Sequence, residues 1–102
     1  RNNKIILGDT EDLVKLEPIE KKWESFGFLV KRINGHSHEE IINSLSQIES
    51  LDRPLVIIAD TTKGKGISFM ENEPNWHYWQ KIGEDKYNIA NNELDNEIKK
   101  YE

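Results

Sequence analysis

The sequence contains no cysteine, which excludes a disulfide framework and any thiolate metal site. No apolar run approaches the roughly 20 residues that a bilayer-spanning helix requires, so no membrane segment is expected. Basic residues are in the minority, 14 Lys and Arg against 19 Asp and Glu for a net charge of −5. Nucleic-acid binding through a basic stripe is therefore not expected. The Gly-x-x-x-x-Gly-Lys-Ser/Thr and Gly-x-Gly-x-x-Gly phosphate loops are both absent, as are internal repeats and low-complexity segments. No secretion signal is visible, so a cytoplasmic setting is expected. Arg1 is not an initiator residue, and the chain as given is expected to start inside a longer one.

What is present fits one small globular piece of 102 residues, 35% apolar and 32% charged. Ile5-Ile6-Leu7 is a short strand candidate stopped by Gly8-Asp9. A helix is predicted from Pro18, a residue suited to a first helical turn. Its apolar stripe is Ile19, Trp23 and Phe26, and Gly27 ends it. Phe28-Leu29-Val30 opens a second strand that ends near Ile33, before an Asn34-Gly35 turn. Ser37 is a predicted N-cap, with Glu40 completing a capping box. Ile41, Leu45 and Ile48 form the next stripe, and Asp52-Arg53-Pro54 breaks that helix.

Leu55 to Ala59 is apolar at every position, the pattern of a strand covered on both faces. Tyr87, Ala90, Leu94, Ile98 and Tyr101 signal a last helix. The expected fold class is α/β, in the order β-α-β-α-β-loop-α, with a parallel sheet and helices on both faces. Three strands do not complete such a sheet, so residues 1–102 are expected to be part of a larger domain.

The stretch with most chemistry follows the apolar strand: Thr61-Thr62-Lys63-Gly64-Lys65-Gly66, then Phe69-Met70-Glu71-Asn72 and Trp76-His77. An open α/β sheet binds ligands outside the carboxyl ends of its strands. Glycines permit close backbone approach and positive φ, and lysines with free amides favour an anion such as a phosphate or diphosphate. The same composition equally describes a solvated turn. His77 reads alternatively as a surface histidine between Trp76 and Trp79, and His36 and His38 as turn and helix-start residues. Trp76, Tyr78 and Trp79 are candidates for an aromatic subunit contact.

These residues resemble a known family. Leu16-Glu17-Pro18, Lys22-Trp23 and Phe26-Gly27-Phe28, then Asn34-Gly35-His36, then the Lys-Gly-Lys-Gly, Met-Glu-Asn and Trp-His segments are similar to the transketolase N-terminal region. The resemblance covers nearly the whole chain, as the second half of a thiamine-diphosphate-binding domain. It implies transfer of a two-carbon ketol unit between sugar phosphates, with thiamine diphosphate and Mg²⁺ or Ca²⁺ as cofactors. By position it implies cofactor binding at Asn2, Lys4, Lys63, Gly64 and His77. Asn2 and the Lys4 carbonyl would be metal ligands, and His77 a catalytic residue near the diphosphate and the sugar.

The family's Gly-Asp-Gly half-motif is absent. The implied partners are therefore the remaining N-terminal half that carries it and a pyrimidine-binding C-terminal subunit or domain, in an oligomer. Tyr78 and Trp79 depart from the family's glycine and basic residue after the histidine, and Lys81 could supply that charge. A 1-deoxyxylulose-5-phosphate synthase-like enzyme and a non-catalytic assembly domain are the competing expectations.

Overall fold

The computed structural model describes residues 1–46, 48, 51–78 and 81–102. In chain order its elements are β1 (Lys4–Ile5), β2 (Gly8–Asp9), α1 (Thr10–Leu13), α2 (Ile19–Ser25), β3 (Leu29–Asn34), α3 (His38–Leu45), β4 (Leu55–Asp60), a 3₁₀ helix (Pro74–His77) and α4 (Glu84–Ile98). They fall into two compact units, one of Arg1–Asn3 with Thr10–Thr61 and one of Lys4–Asp9 with Thr62–Glu102.

The first unit is built on the parallel pair β3–β4, in register from Leu29 opposite Leu55 to Asn34 opposite Asp60. A parallel pair needs a crossover, and α3 lies within it. Both α2 and α3 pack against β3, which bears out the α/β class. Helix α2 begins just after Pro18 and ends in a Schellman motif, in which Gly27 takes φ 89°. The Gly27 amide donates to the Glu24 carbonyl at 2.9 Å and the Phe28 amide to the Trp23 carbonyl at 3.3 Å. The accompanying apolar contact is Trp23 edge-on to Phe28, with ring centroids 5.4 Å apart. Phe26 does not complete the expected stripe: it sits at the C-cap and is 76% exposed.

At α3, Ser37 Oγ accepts from the Glu40 amide at 3.2 Å, as expected of an N-cap. The reciprocal arm of the box goes elsewhere, because Glu40 Oε2 accepts from the Asn34 amide at 2.7 Å. That bond caps the outer edge of β3. Helix α3 stops at Leu45, which leaves Ile48 outside it and exposed.

Two arginines tie the unit together. Arg1 lies beside β4: its main-chain nitrogen donates to the Ala59 carbonyl at 2.6 Å, and its carbonyl accepts from the Thr61 amide at 2.9 Å. Its guanidinium donates to Thr10 Oγ1 at 3.0 Å and pairs with Glu11. Arg32 directs its whole fork at three carboxylates. Asp60 accepts at 2.7 and 3.0 Å, Glu17 at 3.1 and 3.2 Å, and Glu20 at 2.9 Å. Such forked, charge-assisted bonds are stronger than neutral ones. The Arg32 bonds, helped by the Ile19 amide, pull the Glu17 carboxyl from its ordinary 4.5 down to about 2.

The second unit departs from the expectation of a third parallel strand at Ile5-Ile6-Leu7. Only Lys4–Ile5 is extended; Ile6 and Leu7 form a turn, and β1 pairs antiparallel with β2, Lys4 opposite Asp9 and Ile5 opposite Gly8. The hairpin is local, so it needs no distant partner, and the Lys4 Nζ to Asp9 ion pair at 2.7 Å pins it. Leu7 at its tip is 77% exposed. Strand β1 packs against the 3₁₀ helix. Helix α4 carries Tyr87, Ala90, Leu94 and Ile98 as expected, whereas Tyr101 lies past its end. No helix among the described residues is long and apolar enough to cross a membrane.

Among the described residues the buried apolar side chains are Ile58 and Ala90, and none is less than 2% exposed. Ionic ties therefore matter more here than in a domain with a full core. The sign of the Glu17 effect is fixed by its depressed pKa: its contribution is complete above about pH 4.5 and is lost as pH falls towards 2. We expect Arg32→Met to lower the melting temperature at pH 6 and to flatten the acid-side decline between pH 4.5 and 2. Melts followed by circular dichroism across that range check it, and parallel acid slopes for the two proteins would contradict it.

Candidate functional site

The Gly-Lys loop belongs to the second unit and is a closed, internally bonded turn. The Asn72 amide donates to the Lys63 carbonyl at 2.8 Å and shuts its base. Within it the Lys65 amide donates to Thr62, the Ile67 amide to Gly64, and the Met70 and Glu71 amides to Ile67. Gly64 has φ 74°, and a Cβ placed there would come within 2.3 Å of the Met70 carbonyl oxygen. The collision is with backbone, so no side-chain adjustment relieves it. Glycine is required for this chain reversal.

The two lysines of the loop are not equivalent. Lys65 Nζ sits 3.2 Å from Glu71 Oε1, and the same oxygen accepts from the Gly66 amide at 3.2 Å. The glutamate of the Met-Glu-Asn segment thus neutralises the second lysine and consumes a loop donor. Lys63 is half-buried, and among the described residues no carboxylate pairs with its ammonium. A half-buried cation without an internal counter-charge attracts an anion more strongly than a solvated one. The loop is braced from α4, where Glu93 Oε2 accepts from the Ser68 amide at 2.8 Å. Bonds from the Ser68 hydroxyl and amide hold the Glu93 carboxyl below its ordinary range.

His77 ends the 3₁₀ helix, which Glu73 caps by accepting from the Asn75 amide at 3.1 Å. The imidazole is exposed and meets Tyr78 edge-on, centroids 5.3 Å apart. Trp76 turns the other way onto Phe69 at 5.4 Å, and Lys86 Nζ lies over both rings at 5.1 and 5.4 Å. The aromatic grouping is therefore Phe69 with Trp76; Trp79, expected to join it, lies outside the described residues.

Of the expected metal ligands, exposed Asn2 is in the first unit and Lys4 in the second. The Lys4 ammonium is engaged by Asp9, and the ligand that the resemblance implies is its main-chain carbonyl. No group of three or more His, Asp or Glu side chains that could hold a metal occurs among the described residues. Two neutral oxygens do not satisfy a hard divalent cation, which takes six or more oxygen ligands including carboxylates. The residues present fit an anion at Lys63-Gly64; they do not on their own fit Mg²⁺ or Ca²⁺.

Lys63, Gly64 and His77 lie in one unit, as their spacing suggested. The resemblance singled out Lys63 and left out Lys65; the pairing that makes the two lysines unequal was missed. Its signal was Glu71, a carboxylate six residues after Lys65, in a loop whose glycines let it fold back. Arg1 and Arg32, which organise the first unit, carried no sequence signal.

Comparison with known proteins follows the same lines. The chain is 38% identical over 97 residues to an apulose-4-phosphate transketolase subunit of Actinobacillus succinogenes, covering 95% of this chain and 35% of that protein. It is 37% identical over 103 residues to the protein of the same name from Phocaeicola vulgatus, covering 100% and 36%. A 6-deoxy-6-sulfo-D-fructose transketolase subunit from a Clostridium species is 37% identical over 97 residues, covering 94% and 35%. In three dimensions the chain matches the crystal structure of Campylobacter jejuni transketolase with a TM-score of 0.79 and 35% identity, over 92% of this chain and 15% of that one. No family model matches. The chain spans about a third of the length of the curated relatives it matches.

The loop geometry gives a direct test. Gly64→Ala forces a Cβ into the Met70 carbonyl and a non-glycine residue into positive φ, at a cost on the order of 1–3 kcal/mol. We expect faster hydrogen exchange at the Asn72 amide and a lower urea midpoint. An unchanged Asn72 exchange rate would contradict the closed loop.

Proposed function

We propose, from the chain's place in the transketolase family, that residues 1–102 form the second half of a thiamine-diphosphate-binding domain. On this reading it works within an enzyme that transfers a two-carbon ketol unit between sugar phosphates. The observation that carries the reading is the closed loop whose base holds a lysine with no carboxylate partner among the described residues, beside a glycine whose Cβ would strike the Met70 backbone. Three relatives named as transketolase subunits support it, and they favour transketolase over the 1-deoxyxylulose-5-phosphate synthase alternative.

In such an enzyme thiamine diphosphate supplies the carbon–carbon chemistry and the protein supplies binding and orientation. Lys63 would neutralise diphosphate charge, and Gly64 would let the backbone close around it. His77 would donate a hydrogen bond towards the diphosphate or a substrate oxygen; its exposure leaves the ring free to meet a ligand. The Asn2 side-chain oxygen and the Lys4 carbonyl would supply two ligands to Mg²⁺. The missing carboxylate would come from the polypeptide that carries the Gly-Asp-Gly motif. A pyrimidine-binding C-terminal partner would complete the site, which agrees with the naming of the relatives as subunits.

Two substitutions separate these roles in the assembled enzyme. Lys63→Ala is expected to weaken apparent thiamine diphosphate affinity far more than Lys65→Ala, because Lys65 is already neutralised by Glu71. The comparison is made at two salt concentrations. Equal losses that both vanish at high salt would reduce the loop to a diffuse basic patch.

His77→Ala is expected to lower turnover by about a hundredfold, the scale of one lost transition-state hydrogen bond. Its melting temperature should not change, since an exposed side chain carries little stability. Unchanged steady-state kinetics with sugar phosphates would return His77 to a surface role.

A further inference from the structure

Asn34-Gly35 is the one asparagine–glycine pair in the sequence. Asparagine is a chemically labile residue, and this pairing exposes it most. The backbone nitrogen that follows an asparagine attacks the side-chain amide carbon, and a glycine has no side chain to obstruct it. The other asparagines precede residues whose side chains crowd that nitrogen. The fold does not allow the glycine to change. A Cβ at Gly35 would lie 2.6 Å from Thr61 Cγ2, 2.9 Å from the Asp60 carbonyl oxygen and 3.1 Å from Ala59 Cβ.

The same close approach holds the reaction in check. Asn34 ends β3 directly opposite Asp60. The Gly35 amide donates to the Asp60 carbonyl at 2.7 Å, so the nitrogen that must attack keeps its proton in a main-chain bond. The side chain under attack is also held, because Asn34 Oδ1 accepts from the His36 amide at 3.0 Å. The Asn34 amide donates to Glu40 Oε2 at 2.7 Å, which fixes the residue from its other side. Asn34 is nevertheless exposed, so water reaches it once these bonds open. Local opening of an element's end requires far less free energy than unfolding of the whole.

We propose that Asn34-Gly35 is a latent self-modification site, gated by the bond from the Gly35 amide to the Asp60 carbonyl. When the carboxyl end of the β3–β4 pair opens, the deprotonated Gly35 nitrogen attacks Asn34 Cγ. The bond from Cγ to the side-chain nitrogen breaks, and ammonia leaves with the proton that Gly35 gave up. The five-membered imide then takes up one water and opens to aspartate or isoaspartate at position 34. Either product adds a negative charge beside Glu40 and on the strand face where Asp60 already pairs with Arg32. Like charges set opposite one another weaken a strand pair. Isoaspartate also lengthens the main chain by a methylene, which breaks the register between Asn34 and Asp60. A transient opening is thereby made permanent. The chemistry needs only this chain and water.

The test is peptide mass spectrometry on the chain held in mildly alkaline buffer, with and without guanidinium chloride, alongside hydrogen exchange at the Gly35 amide. In denaturant Asn34 should be the first asparagine to deamidate, and it should yield both products. In buffer its rate should be lower by roughly tenfold or more, in step with protection of the Gly35 amide. Glu40→Ala removes the acceptor of the Asn34 amide. It should speed both Gly35 exchange and deamidation in buffer, and leave the rate in denaturant unchanged. Asn34→Gln, which would have to close a larger ring, should stay unmodified at that position in both conditions.

Equal Asn34 rates in buffer and in denaturant would overturn the gate. Earlier reaction of another asparagine in denaturant would overturn the site. Faster Gly35 exchange in Glu40→Ala without faster deamidation would also overturn the gate, since opening would then not be what limits the reaction.

Discussion

The parallel pairing of β3 with β4 is the interaction on which the rest of this chain depends. It fixes six residues of each strand in one register and seats α2 and α3 against β3. It also leads the polypeptide from Asp60 into the Gly-Lys loop. A two-strand parallel sheet is a poor structure by itself, because parallel strands are stable when covered on both faces and flanked by further strands. Among the described residues the buried apolar side chains are few, Ile58 and Ala90. Charge compensates in part: Arg32 draws Glu17, Glu20 and Asp60 together, and Arg1 ties β4 to Glu11 and Glu17.

The loop after β4 shows how local pairing of charge produces chemical selectivity. Two lysines separated by one glycine look alike in sequence. Folding brings Glu71 to Lys65 and the Gly66 amide, and leaves Lys63 as the cation with no internal carboxylate partner among the described residues. The same fold-back makes Gly64 irreplaceable, because the Met70 backbone occupies the space a Cβ would take. On the proposed reading one position meets an external anion, while its neighbour is committed to the shape of the loop.

Much of the architecture was legible because it rests on local chemistry. The apolar run Leu55–Ala59, the Gly27 stop and the Ser37 cap each carry their own physical reason, and each is observed. What was illegible depends on distance. Ile5-Ile6-Leu7 reads as a strand, but strand pairing is decided by partners, and with β2 next to it the chain turns back at Ile6 and Leu7. Glu40 reads as half of a capping box, yet the Asn34 amide at the end of β3 claims its carboxylate. Arg32 reads as one charged residue in a strand; that three acids converge on it is a tertiary fact. Asn2 and Lys4 followed from resemblance to transketolases alone, and they fall in different units.

The central claim is that Lys63 meets the diphosphate of the cofactor while Lys65 stays bound to Glu71. The most direct measurement is nitrogen-15 NMR of the lysine ammonium groups in the assembled enzyme, titrated with thiamine diphosphate. The account predicts a saturable shift of the Lys63 Nζ resonance and an unmoved Lys65. Equal shifts of both, or movement of Lys65 alone, would contradict it.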